Sequence, residues 1–297
     1  MINNSLMLES ACDFYCTRYL DIISSEIAVI TSCAEYSSDI TESLHQMRTS
    51  SRRVMAVISA KNRFLNHHSG KSLEKLMRQL LKSSGRLRDL DVLIANVNEL
   101  LNSGLDRRCS EDLSAYHQWL RQKREKGWPA LHGSLSNSYD SRLASVMEEL
   151  RARSCMGYDD KSGDGYKLTE AAPAMFYAAA ADIIAVGRAG NKLHELRINC
   201  KVFRYLLELF ELAGIDSSRQ QNEFKEIQDI FGRWHDDQVL LSQLKKFSRS
   251  EYKTEHAHLL KQYLSEREQL SRRRAEEAAR VLEQGWFDSA FAGMFLS

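Results

Sequence analysis

The sequence predicts an all-α protein built from two similar halves. Apolar residues recur at helical spacing along most of the 297 residues, and only two prolines interrupt them. Two blocks of the first half also recur in the second. The first pair lies 149 residues apart (His45 to His194) and the second 147 residues apart (Gly85 to Gly232). Matched blocks at nearly constant spacing indicate an internal duplication.

Breaks in the apolar periodicity set the helix boundaries of the first half. Helices are expected over about 9–33, 40–67, 72–84, 89–101 and 106–126, with one more that ends near residue 153. Asp39 is the expected N-cap of the second helix, with Glu42 three residues later completing a capping box. Gly85 is expected at the break after the third helix, and Gly127 to Pro129 at the end of the fifth.

Residues 155–167 are expected to form an exposed linker between the first repeat, 1–154, and the second, 168–297. They contain three glycines and three aspartates without apolar periodicity. In the second repeat the pattern predicts helices over about 171–186, 192–213, 218–231, 236–247 and 250–284, with Asn191 as a cap. Two helical halves joined by a polar linker are therefore the expected organisation.

Composition limits where a charged site can lie. The formal net charge is +1, so a basic site must be a local concentration of cations rather than a property of the whole surface. The six cysteines are scattered without a CxxC pair, which argues against a disulfide framework or a zinc module. The first ten residues do not resemble a signal peptide, and no stretch approaches the ~20 apolar residues of a membrane span. A cytoplasmic, reduced protein is expected.

Cationic side chains border the apolar stripe of the repeated helices, within about 60 to 80° of one another. They are His45, Arg48 and Arg52 on the first motif helix, His194, Arg197, Lys201 and Arg204 on the second, and Lys71, Lys75, Arg78, Lys82 and Arg86 along the third predicted helix, if that helix continues as far as Arg86. Like charges four residues apart destabilise a helix by ~0.2–0.5 kcal/mol each, so the arrangement indicates a polyanionic ligand. An ordinary solvated helix face is the alternative.

The Gly-Arg-x-x-Asp blocks add residues with two possible roles each. Arg86 and Arg233 can direct two donors onto phosphate oxygens. Asp89 and Asp236 can cap the following helix, or they can pair with an arginine of the motif helix. Gly85 and Gly232 suit a helix end or a close approach between helices.

Catalysis has no support in the sequence. A metal-dependent hydrolase would use His45 and His194 with Asp89 and with Asp236 or Asp237. Neither histidine is followed three or four residues later by a second histidine or a carboxylate, so no metal site is predicted. The GxSxG, GxxxxGK[ST] and GxGxxG motifs are absent. The histidines instead suit phosphate binding, with a pKa lowered by the neighbouring arginines, or hydrogen bonding within the core.

Four blocks together resemble one known family. They are LHQMRTSSRR (Leu44–Arg53), GRLRDLDVL (Gly85–Leu93), LHELRINCKVFRY (Leu193–Tyr205) and GRWHDDQVL (Gly232–Leu240). Their order and spacing resemble the CHAD family, the conserved-histidine α-helical domain. The resemblance implies two helical bundles related by a pseudo-twofold axis, with a basic channel between them. It also implies binding of inorganic polyphosphate and, in some relatives, a location on polyphosphate granules.

The resemblance and the cationic stripes define the expected polyphosphate-binding residues. They are His45, Arg48, Arg52, Arg53, Arg78, Lys82, Arg86, Arg88, His194, Arg197, Lys201, Arg204 and Arg233. The second repeat differs from the first, because in the alignment of the two repeats Val202 matches Arg53 and His235 matches Arg88. Lys82 is likewise matched by Asp229. The first repeat is therefore expected to bind anions more strongly.

Non-catalytic polyphosphate binding without a cofactor is the leading functional hypothesis. Its expected partners are the polymer itself, polyphosphate granules or a polyphosphate-metabolising enzyme, with no membrane involved. Single-stranded nucleic acid is the first alternative, with Tyr205 and Trp234 as stacking platforms, although both also fit core packing. A metal-dependent phosphoesterase and a purely structural helical scaffold are the others.

Overall fold

Every regular element in the described part of the chain is an α-helix, which confirms the predicted fold class. The computed structural model describes residues 8–33, 37–64, 71–104, 107–139, 142–148, 168–188, 192–212, 214–247, 257–282 and 284–296. The helices are α1 (Leu8–Ser32), α2 (Ser38–Phe64), α3 (Lys71–Leu101), α4 (Arg107–Ser138), α5 (142–148), α6 (Leu168–Arg188), α7 (Leu193–Leu212), α8 (Ser218–Phe247), α9 (Ala257–Val281) and α10 (Gln284–Phe295). None of these helices is long and apolar enough to cross a membrane.

The packing order of the helices is the same in the two halves. In the first half α1 packs on α2, α2 on α3 and α3 on α4, and in the second α6 packs on α7, α7 on α8 and α8 on α9. The halves meet through corresponding helices, because α2 packs on α7 and α3 on α8. This order agrees with a duplication, which stays a prediction, and the predicted linker lies outside the described residues.

Helices α3 and α8 run without interruption through the two motif glycines. The predicted break at Gly85, and the corresponding break near Gly232, are therefore wrong. Asp89 and Asp236 lie inside these helices, so neither caps a helix. A glycine inside a helix costs roughly 1 kcal/mol relative to alanine, which continuous burial on both sides of it readily offsets.

Helix α4 also continues where the sequence indicated an end, through Gly127 and Pro129. A Cβ atom on Gly127 would lie 2.7 Å from Leu87 Cδ1, so this glycine allows α4 to pack closely on α3. Trp128 and Leu131 on either side of Pro129 are buried in the core. Packing on both sides of the proline thus holds the helix together across a residue that removes a backbone donor.

Three further predictions concern the N-cap of α2, the last helix and the cap at Asn191. The N-cap of α2 is Ser37 rather than Asp39, because the Ile40 N–H donates to Ser37 Oγ at 3.4 Å. Helix α10 was not predicted, although its aromatic residues pack on the core. The expected cap at Asn191 lies outside the described residues.

Two apolar cores hold the helices together, and each draws on both halves of the chain. The larger core includes Phe176, Phe203, Phe224 and Phe287, whose rings contact one another at centroid distances of 4.8 to 6.4 Å. The smaller core joins parts of α3 and α4 to parts of α8 and α9. Because apolar side chains of both halves are buried together in these cores, α3 is held against α8 and α2 against α7.

An ion pair with a buried aspartate ties adjacent helices in each half. Arg124 Nε of α4 lies 2.7 Å from Asp91 Oδ1 of α3. Arg267 Nε of α9 lies 2.6 Å from Asp237 Oδ1 of α8. Asp91 lies two residues after Asp89, and Asp237 directly follows Asp236, so in each half the second aspartate of the motif region joins two helices.

Candidate functional site

A cleft of about 1330 Å³ lies between α2, α3, α7 and α8, and we call it the central cleft. It brings together nine of the thirteen predicted site residues, from both halves of the chain. These nine are His45, Arg52, Arg78, Arg88, His194, Arg197, Lys201, Arg204 and Arg233. The other four, Arg48, Arg53, Lys82 and Arg86, do not line it.

Positive charge exceeds negative charge among the described residues that line the central cleft. Seven arginine or lysine side chains face four carboxylates, which belong to Glu74, Asp89, Asp229 and Asp236. Arg78 is partly neutralised, because its Nη2 lies 2.6 Å from Glu74 Oε1. The cleft therefore keeps an excess of cations in a protein of nearly balanced charge.

The most crowded cations are Arg52, Arg197 and Lys201. Burial lowers the pKa of Lys201 to about 7, and the positive charges of Arg197 and Arg52 add to the effect. Burial also lowers the pKa of Arg197, as does Arg52, against the pull of Asp236. Side chains from α2 and α7 thus repel one another across the cleft, which costs stability unless an anion lies between them.

Three histidines line the same cleft. Burial, followed by the charge of Arg88, lowers the pKa of His45. The rings of His194 and His235 lie 5.2 Å apart. Burial lowers the pKa of His235 to about 4, with Arg197 next in effect, so this histidine is neutral at pH 7. His235 was missing from the predicted site, although its alignment with Arg88 was the signal that could have identified it.

The two motif aspartates face the arginines of the motif helices. Burial raises the pKa of Asp236, and Arg197 and Lys201 oppose that rise. The negative charge of Asp89 raises the pKa of Arg48 and so partly offsets the fall that burial causes. The geometry therefore favours the alternative in which these carboxylates face arginines of the motif helices.

Arg48 is only 6% exposed and does not line the cleft. Its Nη1 donates to the Leu81 carbonyl at 2.5 Å and to Ser84 Oγ at 2.8 Å. Burial lowers its pKa to about 10, so it remains protonated at pH 7. These contacts hold α2 against α3, and the predicted contact of Arg48 with a ligand stays a prediction.

Arg53 joins the two halves of the chain. Its Nε and Nη2 donate to the Glu208 carboxylate of α7 at 2.6 and 3.3 Å. Its guanidinium also lies 5.0 Å from the centroid of the Tyr19 ring. Arg204, at 4.0 Å from Glu208, shares that carboxylate while lining the cleft. Arg53 thus braces α2 against α7.

The two alternative functions each require particular side chains: exposed aromatic rings for binding nucleic acid, and a cluster of metal ligands for a phosphoesterase. Tyr205 and Trp234 are each only 5% exposed, and although Tyr205 lines the cleft, so small an exposed fraction leaves little ring surface for a base to stack on. Within the described ranges, no three His, Cys, Asp or Glu side chains are placed to hold a metal ion. A divalent cation would also be repelled by the arginines of the cleft.

Comparisons with known proteins place the chain in a family. The model of the CHAD domain matches residues 26–245, which is well over half of the chain. The chain belongs to the CHAD domain family. The recognition made from the four motif blocks is thereby confirmed, and all four lie within the matched residues. No curated protein is similar enough in sequence to be matched.

Two solved structures share the fold of this CHAD domain. The CHAD domain from the plant Ricinus communis is 19% identical, with a TM-score of 0.67, and the match covers 99% of this chain and 93% of the plant chain. PptA from Streptomyces chartreusis is 13% identical, with a TM-score of 0.58 and coverage of 95% and 98%. At these identities the similarity concerns the arrangement of the helices.

Proposed function

We propose that this CHAD domain binds inorganic polyphosphate in the central cleft and does not act on it chemically. The observation that carries the proposal is the convergence of seven cationic side chains from both halves on one cleft with four carboxylates. A linear polyanion can contact cations on all four helices at once. A single small anion would leave most of them unpaired.

The depressed pKa values give the proposal its physical basis. Lys201, with a pKa of about 7, is partly deprotonated near neutral pH because burial, and then its cationic neighbours, disfavour its charge. A bound polyanion reverses that effect and raises the pKa, so binding takes up protons. Repulsion in the free cleft thus becomes attraction to the ligand, which is an arrangement that favours binding.

The character of the cleft favours polyphosphate over nucleic acid. Single-stranded nucleic acids gain roughly 1–3 kcal/mol per base from stacking on aromatic rings. The two aromatic residues of the motif blocks, Tyr205 and Trp234, are buried, which leaves little ring surface for stacking. The resemblance to the CHAD family likewise implies polyphosphate as the ligand. A cytoplasmic role at polyphosphate granules, or beside a polyphosphate-metabolising enzyme, follows as part of this proposal.

Two triple variants remove the same charge from different places. The cleft triple variant carries Arg52→Gln, Arg197→Gln and Lys201→Gln, all within the central cleft. The control triple variant carries Arg107→Gln, Arg219→Gln and Arg272→Gln. Each of these control arginines is exposed and paired with a glutamate four residues later.

Titration of both variants with long-chain polyphosphate tests the proposal. The cleft triple variant should lose about a hundredfold in affinity, and the control triple variant less than about threefold, because contacts to phosphate act locally. In a salt series, the slope of log affinity against log salt should be shallower by about 2 in the cleft triple variant. Equal losses in both variants would reject the cleft as the binding site.

Competition and product assays separate the remaining functions. Unlabelled polyphosphate should displace a labelled polyphosphate at concentrations where an oligonucleotide of equal charge does not. Release of phosphate should stay at background with and without added divalent metal. Displacement by the oligonucleotide at equal concentration would favour nucleic-acid binding, and metal-dependent release would favour a phosphoesterase.

A further inference from the structure

A line of cations on α3 begins in the central cleft and leaves it. Arg78 lines the cleft, whereas Lys82 and Arg86 are exposed outside it. Residues four apart on a helix advance by about 6 Å and rotate by about 40° about its axis. From Arg78 to Arg86 the line therefore advances about 12 Å and turns by about 80°, away from the cleft.

The neighbour of this part of α3 is α4. The Asp91–Arg124 ion pair and the close approach of Leu87 to Gly127 place the 124–127 segment of α4 beside residues 87–91 of α3. Arg86 precedes Leu87 on α3, so the line of cations ends close to this segment of α4.

Two more cations lie next to that end. Lys123 Nζ of α4 lies 3.5 Å from the centroid of the Trp119 ring. The Trp119 ring also packs edge-on against the Phe247 ring of α8, with their centroids 5.5 Å apart. Lys246, which precedes Phe247 in the sequence, is exposed. Arg86, Lys123 and Lys246, from three different helices, form what we call the outer patch.

The charges of the outer patch act on one another. Burial lowers the pKa of Lys123, followed by the like charges of Arg86 and Lys246. No carboxylate appears among the described groups that shift this pKa. The ammonium group lies over an aromatic ring rather than beside an acid, so the positive potential of the patch remains available to a ligand.

We propose that the outer patch binds a second stretch of the polyphosphate chain held in the central cleft, with Lys82 between the two. This inference rests on the proposed function and adds that the domain favours long chains. A short anion occupies the cleft alone. A long chain also covers the outer patch, so both sites act on one molecule and the affinities reinforce each other.

The second half of the chain does not offer the same path. Asp229, which lines the cleft, occupies the position that matches Lys82, so α8 carries a carboxylate where α3 carries the cation that leads out of the cleft. A polyanion that leaves the cleft along α8 meets repulsion at that step. The long chain is therefore directed along α3.

The test compares two inorganic ligands, tripolyphosphate and a long-chain polyphosphate of defined length. The outer-patch variant carries Arg86→Gln, Lys123→Met and Lys246→Gln. Methionine keeps the apolar stem of Lys123 over Trp119, so the fold is preserved, and helix content is checked by circular dichroism. The control triple variant removes three charges elsewhere. Both are titrated with both ligands, beside the wild type.

The outer-patch variant should lose about tenfold in affinity for the long chain and less than about twofold for tripolyphosphate, since three phosphate contacts disappear only for the long ligand. The control triple variant should lose less than about threefold for either. Equal losses for both ligands, or none for the long chain in a protein that still binds tripolyphosphate, would overturn the outer patch. Absence of binding by the wild type to either ligand would instead overturn the proposed function.

Discussion

Matched positions in the two motif helices have different roles. Arg48 of α2 is buried and bonds to the Leu81 carbonyl and to Ser84, whereas its counterpart in α7, Arg197, lines the central cleft. The repeated motif thus places an arginine at the same point of the helix in both halves. Its surroundings decide whether the guanidinium supports packing or faces a ligand.

The next positions differ in the same way. Arg53 braces α2 against Glu208, whereas the matched Val202 is 40% exposed at the cleft. Arg52 is matched by Lys201, and burial lowers the pKa of that lysine to about 7. At these two positions the first half therefore supplies a structural contact and an arginine, and the second half supplies a lysine whose charge responds to pH near 7.

The largest expected effect concerns the ion pairs that tie the outer helices. Asp91→Asn should lower the free energy of unfolding by about 3 kcal/mol, because it leaves Arg124 buried without its carboxylate. Asp237→Asn should cost less, about 2 kcal/mol, since Arg267 is 33% exposed and Arg124 only 18%.

Urea denaturation of both variants checks this order. Glu111→Gln, which breaks an exposed pair with Arg107, is the control and should cost no more than about 0.5 kcal/mol. If all three substitutions cost the same, the ion pairs do not tie the helices as described.

The next largest expected effect on the free energy of unfolding concerns the Arg53–Glu208 contact between the halves. Arg53→Ala should lower the free energy of unfolding by about 2 kcal/mol, because it removes two hydrogen bonds to Glu208 and the contact with the Tyr19 ring. Val202→Ala at the matched position should change it by less than about 0.5 kcal/mol. Thermal unfolding of both variants measures the difference, and equal stabilities would show that Arg53 does not join the halves.

A smaller effect distinguishes Lys201 from Arg52. The pKa of Lys201 is lowered to about 7 in the free protein and rises when a polyanion binds, so affinity falls as pH increases above 7. Between pH 7 and pH 9 the wild type should lose up to roughly tenfold in affinity for polyphosphate at constant ionic strength. Lys201→Arg should flatten this part of the profile.

His45 adds a separate window at lower pH, because its pKa lies below 6.5 in the free protein. Affinity should rise further as the pH falls through that window. An undiminished pH dependence above 7 in Lys201→Arg would assign the proton uptake to another group.

The helices were predictable where periodicity decides them, and their interruptions were not. Gly85 was expected to end a helix because glycine is a weak helix former, yet α3 passes through it with burial on both sides. Gly127 is explained only by the approach of Leu87 from another helix, at 2.7 Å from the position of a Cβ atom. A contact between residues forty positions apart leaves no local pattern in the sequence.

Several residues of the cleft were predictable from helical periodicity, as the helices themselves were. The angular position of Arg52, Arg197 and Lys201 places them beside the apolar stripe, and the duplication predicts that both sets meet. The inward turn of Arg48 was not predictable, because its angle at the border of the stripe allows either direction. The hydrogen bonds to Leu81 and Ser84, from the neighbouring helix, decide it.

The central claim is that cations of both halves act on the same stretch of polyanion, and a short ligand tests it most directly. Tripolyphosphate is too short to bridge two separate sites. Arg52→Gln, in the first half, and Lys201→Gln, in the second, should therefore each reduce its affinity by about fivefold at pH 6.5. A loss confined to one of the two variants would contradict the account.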